Sequence, residues 1–140
     1  MDKSVKQAIH NAVAQEPFVQ TLGMELTDLE KGFSAVEMIY EPSRMDNLFG
    51  RAHGGAIFAL IDEAFETVGQ TDGTVAVAMN VNVSYVASPE AGTRLRAEAR
   101  EINKTKRTAN YDIRVTDEDD RLIATCQALA YRTGKALPFL

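Results

Sequence analysis

The chain has 140 residues, 45% of them apolar, which is enough for one core and too little for two, so residues 1–140 read as a single domain. A net charge of −5 argues against a polyanion partner, because the short basic run Lys104, Lys106, Arg107 cannot make a nucleic-acid surface. Cys126 is the lone cysteine and His10 and His53 are the only histidines, so disulfide and structural zinc chemistry lack their residues, and no metal is expected. No signal peptide or spanning stretch is visible, so the expectation is a cytoplasmic protein without a membrane partner.

In chain order, Val5, Ala8, Ile9, Ala12 and Val13 recur at helical spacing and predict an amphipathic helix over about 3–15, ending before Pro17. Partial alternation over 24–30 and 34–40, flanking Lys31-Gly32, predicts a hairpin. Residues 41–52, with Pro42, Asp46, Asn47 and Gly50, read as a loop. From Gly54 to about Gly69 the chain is apolar nearly all round, as in a buried helix.

Four alternating runs follow. Val75, Val77, Met79, Val81, Val83 and Tyr85 share one face of the first, and Leu95, Ala97 and Ala99 one face of the second. Ala109, Tyr111, Ile113 and Val115 mark the third, and Leu122, Ala124, Cys126, Ala128 and Ala130 the fourth. The connections 89–92, 103–106 and 117–120 are short enough to join antiparallel neighbours. The expected plan is α+β, a long central helix wrapped by a mostly antiparallel β-sheet.

Chemistry concentrates in residues 47–62. Gly54-Gly55 at the start of the buried helix leaves backbone N–H groups uncovered at the positive end of its dipole, a ready oxyanion hole. Asp62 is an acid inside an apolar helix, where a carboxylate must be paired, hydrated or functional; Glu63 and Glu66 raise the same question. Gly55 and Asp62 share a face but lie roughly 10.5 Å apart along the axis at about 1.5 Å per residue. A second helix packed antiparallel across a two-fold axis brings one subunit's Asp62 opposite the other's Gly55, so a dimer with two shared sites is expected.

The string Asn47-x5-His53-Gly54-Gly55-x6-Asp62 resembles the signature of the hotdog thioesterase superfamily, in its phenylacetate-degradation (PaaI-type) branch. The similarity runs from about Leu22 to Arg132 and includes 79–89 and the Gly92-Thr-Arg-Leu-Arg-Ala97 strand start. It implies a hotdog fold and an acyl-CoA thioesterase, with coenzyme A carried by the substrate and no cofactor. The Gly55 N–H would polarise the thioester carbonyl, Asn47 would help position it, and His53 and Gly54 would shape the pocket. Asp62 from the partner subunit would act as general base or as nucleophile. Lys104, Lys106 and Arg107 would meet the CoA phosphates, although Thr105 stands where relatives carry glycine. Relatives also pair dimers, which implies a homodimer extending to a homotetramer.

Other readings stay open. Asn47 after Asp46 suits an ordinary turn, His53 suits a helix cap, and the glycines suit close packing. Glu66 is read as a pocket or solvated residue. Phe58, with Phe49, Phe65 and Tyr85, could line an aryl or medium-chain acyl pocket or simply fill a core. Cys126 alternates with small residues and is read as core. A non-catalytic acyl-CoA-binding module on the same fold is the alternative function, with a dehydratase ranked below it.

Overall fold

The computed structural model describes residues 1–140. Helix α1 (Lys3–Ala14) is capped by Asp2, whose side chain accepts from the Ser4 and Val5 N–H groups, and it buries Ile9 and Val13. Pro17 ends that helix as expected but also opens another, because proline fits the first helical turn: α2 (Pro17–Leu22) stops at Gly23, φ 66°. Strands β1 (Glu25–Glu30) and β2 (Phe33–Ile39) pair antiparallel around Lys31-Gly32, the expected hairpin. The segment read as a loop holds a single helical turn, α3 (Pro42–Met45), pinned by buried Met45.

Helix α4 (Gly54–Gly69) is followed by β3 (Thr74–Tyr85), β4 (Arg94–Lys104), β5 (Thr108–Thr116) and β6 (Leu122–Ala136). All strands join one antiparallel sheet in the order β1-β2-β4-β5-β6-β3. Helix α4 packs against every strand of it. The side chains it shows the sheet, among them Ile57, Leu60, Ile61, Ala64, Phe65 and Val68, belong to one continuous buried cluster with the strands' inner residues. The Ser34 hydroxyl, fully buried on β2, donates to the Ala64 carbonyl at 2.7 Å and ties helix to sheet. At the far end the Gln70 amide bridges both backbone groups of Ala76, fixing where β3 leaves the helix.

Two expectations are corrected. The 103–106 and 117–120 turns do join neighbours, but 89–92 does not, since β3 pairs with β6 while β4 lies between β2 and β5. A short link fixes how far apart two strand ends lie, not that the strands pair. The single face expected for Val75 to Tyr85 is also broken. Register shifts at 74/76 and 78/80 mark bulges, each of which inverts the side-chain parity. Val81 and Val83 therefore pack on the core, while Val77 and Met79 remain 47% and 59% exposed; Tyr85, in phase with Val83 but at the end of the strand, is 53% exposed.

Burial of α4 predicts a large penalty for hollowing it. Leu60→Ala, at a position with no exposure, should cost about 2–5 kcal/mol in urea unfolding, and a loss under ~1 kcal/mol would place Leu60 outside the core.

Candidate active site

The sheet leaves one line of α4 uncovered: Gly55, Phe58, Asp62 and Glu66, spaced three, four and four residues apart on one face. The helix begins there because His53 caps it, its Nδ1 accepting from the Gly55 N–H at 2.9 Å. An accepting Nδ1 carries no proton, so in the neutral imidazole the proton sits on Nε2. The N–H expected to polarise a carbonyl is thus engaged by the cap, and a substrate oxygen must take it over.

Side chains approach both glycines closely. A Cβ on Gly55 would lie 3.1 Å from His53 Nδ1, and one on Gly54 would lie 3.2 Å from the Tyr85 ring. The Tyr85 hydroxyl donates to the Gly54 carbonyl at 3.1 Å. Sequence reasoning offered Tyr85 only as a lining or core residue, because this partnership spans 31 positions.

Asn47 acts within its own loop. Its Oδ1 accepts from the N–H groups of Phe49 and Arg51 at 2.9 and 3.2 Å, which is the turn role weighed for it. The same loop is tied to the helix start by the His53 N–H, which donates to the Met45 carbonyl at 2.7 Å. Asn47 and Gly54 border a shared cleft with Tyr85 and Ile57, so the loop does lie beside the helix N-terminus.

Other expected partners are not brought together within one chain. Gly55 and Asp62 are two turns apart on the same helix. Lys104 sits at the opposite end of α4 from Gly55, where it is committed to Asp72 at 2.8 Å and Glu101 at 3.3 Å; Arg132 joins it on Asp72. Lys106 and Arg107, exposed in the β4–β5 turn, make no ion pair.

Asp62 borders a cavity of about 230 Å³ with Phe65, Glu66, Gly69, Ala78 and Ala130. Burial raises its pKa above the ordinary aspartate value, and no cation opposes the shift. Glu66 is raised as well, by desolvation first and then by Glu16 and Asp62. Glu16 went unnoticed in the sequence. It occupies the N-cap of α2 but makes no cap hydrogen bond, and its carboxylate lies with those of Glu63 and Glu66, one oxygen of each within 4.8 Å of the others. Glu63 is 3% exposed and its Oε1 has no hydrogen-bond partner.

Burial, reinforced by Glu16, Glu66 and Asp62, pushes Glu63 up to about 8. A carboxyl that keeps its proton to about 8 when folded, but only to its ordinary 4.5 when unfolded, lends stability that is complete below 4.5 and lost as pH rises to about 8. The melting temperature of wild type relative to Glu63→Gln should therefore fall steadily between about pH 5 and about pH 8. A pH-independent difference would mean that Glu63 does not titrate in that window.

Comparison with known proteins gives the family. The thioesterase superfamily model matches residues 49–124, the stretch holding the glycine pair and Asp62. The chain is 27% identical to the acyl-coenzyme A thioesterase PaaI of Escherichia coli, over 96% of this chain and 95% of that protein. The solved structure of E. coli PaaI superposes with a TM-score of 0.89, at 26% identity, covering 94% and 95% of the two chains. The TT0310 protein of Thermus thermophilus is 35% identical with a TM-score of 0.79, over 84% of this chain and 98% of that one. Streptococcus mutans smu.793, solved bound to acetyl CoA, is 27% identical with a TM-score of 0.76, over 81% and 91%. Family, relatives and superposed fold agree: this chain belongs to the thioesterase superfamily, as a hotdog-fold enzyme of the PaaI type.

Proposed function

We propose that the protein hydrolyses an acyl-CoA thioester with a small aryl or medium-chain acyl group, at two sites shared across a homodimer. The observation that carries this is Asp62, a half-buried carboxylate on the uncovered line of α4, with no ion pair, bordering a cavity in a thioesterase-superfamily chain. The acyl-CoA class is supported by the activity named for E. coli PaaI and by the acetyl CoA held by the S. mutans protein. A cavity of about 230 Å³ suits a compact acyl group.

The two edges of the sheet support the dimer. Edge strand β1 carries Glu25, Asp28 and Glu30, charges that keep an edge from pairing. Edge strand β3 runs twelve residues without one charged side chain and exposes Val77, Met79 and Tyr85, so a second β3 pairs there in antiparallel fashion. That pairing sets the two α4 helices side by side and head to tail, with Asp62 opposite Gly55 of the partner subunit.

In the reaction the thioester carbonyl oxygen takes the Gly55 N–H over from His53, so developing negative charge meets a backbone donor at the positive end of α4. Asp62, as base, removes a proton from water while the water oxygen bonds to the carbonyl carbon. Collapse of the adduct breaks the C–S bond, CoA leaves as thiolate and is protonated, and the carboxylic acid remains. If Asp62 instead adds to the carbon itself, an anhydride forms and water cleaves it. Phe58, one turn from Asp62, lines the acyl group, and Lys106 and Arg107 contact the CoA phosphates. Neither route requires a cofactor.

Asp62→Asn should lower kcat by about 10²–10⁴ in a free-thiol assay with phenylacetyl-CoA while the melting temperature is kept. Because Asp62 must be ionised, wild-type kcat/KM should fall as pH drops through its raised pKa, so the acid limb should lie above the ordinary aspartate range. Unchanged turnover in Asp62→Asn would remove Asp62 from the chemistry.

The shared site is tested by mixing Asp62→Asn with Gly55→Pro, which lacks the N–H but suits a first helical turn. Each is inactive alone. Random exchange leaves one intact site in each mixed dimer, so about a quarter of wild-type activity should return. No recovery under conditions in which subunits demonstrably exchange would place both groups in one chain's site.

A further inference from the structure

We propose that the acyl pocket takes an acyl group ending in a protonated amine and refuses one ending in a carboxylate. The proposal rests on the hydrolase reading above and specifies its acyl group.

Two cavities meet at Glu66. The one bordered by Asp62 shares Glu66, Gln70, Ala76 and Val77 with a larger chamber of about 440 Å³, walled by Ile9, Val13, Val75 and Leu137 and bordered by Glu16. A chain leading away from a carbonyl at Asp62 therefore passes Glu66 one turn later, about 6 Å along the helix. At that point the carboxylates of Glu16, Glu63 and Glu66 converge, one oxygen of each within 4.8 Å of the others.

None of these three, nor Asp62, takes part in any ion pair of the chain. No side chain donates a hydrogen bond to their carboxyl groups, although those of Asp72, Glu37 and Glu98 elsewhere are each held by basic groups. Glu63 contributes a second, independent sign. It is 97% buried, its carboxyl is aimed into this cluster, and its Oε1 has no partner, an omission that native interiors seldom tolerate. Glu16 is a third, having forgone the N-cap bond that its position on α2 offers.

No group of this chain supplies the countercharge, and it is assigned to the ligand. An ammonium group carries one positive charge and three donors, matching the Glu16 and Glu66 carboxylates and the partnerless Oε1 of Glu63, whose carboxyl is kept protonated to about 8 by burial. A neutral methyl end leaves the acceptors unpaired but repels nothing. A carboxylate end adds a further negative charge beside Glu16 and Glu66 in a partly desolvated place, where like charges at about 4–5 Å repel far more strongly than in water.

Three CoA esters of matched length test this: 6-aminohexanoyl-CoA, hexanoyl-CoA and adipoyl-CoA, assayed for free thiol in EDTA so that no inorganic cation occupies the cluster. Dissociation constants for the same esters on the Asp62→Asn protein, by calorimetry, read the preference without turnover. In kcat/KM and in affinity the amine should exceed the methyl end by about tenfold or more, and the carboxylate should fall below it by a similar factor, the scale of one charged hydrogen bond. Glu66→Gln and the more peripheral Glu16→Gln should each shrink both ratios towards one. Equal handling of the amine and carboxylate esters by wild type, or ratios that survive both substitutions, would overturn the proposal. The expected order in binding with no ester hydrolysed would uphold the pocket assignment and overturn the hydrolase reading instead.

Discussion

Helix α4 is held against six strands by an apolar surface that covers almost its whole circumference, and this single packing interface decides where chemistry can occur. Leu60, Ile61 and Ala64 have no exposure at all, so the helix can neither roll nor slide without opening a cavity in a close-packed interior. What the sheet does not cover is a line of four residues, and those are a glycine, a phenylalanine and two acids. A loop-borne site could adjust its spacing; this one inherits its spacing from the helix. Two turns between Gly55 and Asp62 cannot be shortened within one chain, and the same rigidity that separates them would carry over to the proposed two-fold pairing of two such helices.

The edge strand follows from the same constraint. With α4 filling one face of the sheet, β3 ends the hydrogen-bonded array, and its two bulges turn apolar side chains away from the core. An edge of that composition on an isolated chain is a hazard, since open strand edges pair with whatever is available. The proposed self-complementary pairing would close the edge and at the same time bring the helices together. Under that proposal the uncharged strand and the line on α4 serve one arrangement.

Periodicity is local information, and the parts of the molecule it governs were legible. The buried helix over 54–69, the Lys31-Gly32 hairpin, the strand runs and the glycine pair two turns before an acid all announce themselves within a few residues of one another. Helix α2 did not, because six residues give too few repeats for a 3.6 period to be seen, and Pro17 signals a stop as readily as a start. Sheet order was not legible either: β3 is adjacent in sequence to β4 but in space to β6. The same limit hid the partnership of Tyr85 with Gly54, the commitment of Lys104 to Asp72 and the arrival of Glu16 beside Glu63, pairs separated by 31, 32 and 47 positions. In each, one residue's local context offers an ordinary explanation, a strand aromatic, a turn lysine or a helix cap, and only the fold brings its partner.

The proposed catalytic spacing lies inside α4 and is set by helix geometry. The acyl chamber is assembled from parts remote in sequence: α1 through Ile9 and Val13, the α1–α2 junction through Glu16, β3 through Val75, and the C-terminal tail through Leu137. Each can change without disturbing the helix–sheet interface that keeps Asp62 and Gly55 in place. Glu63 faces both ways, seated in the core beside Asp62 yet reaching Glu16 on the chamber side, and its unpaired oxygen is a standing cost in free energy. The proposed ammonium ligand would relieve that cost from outside the chain.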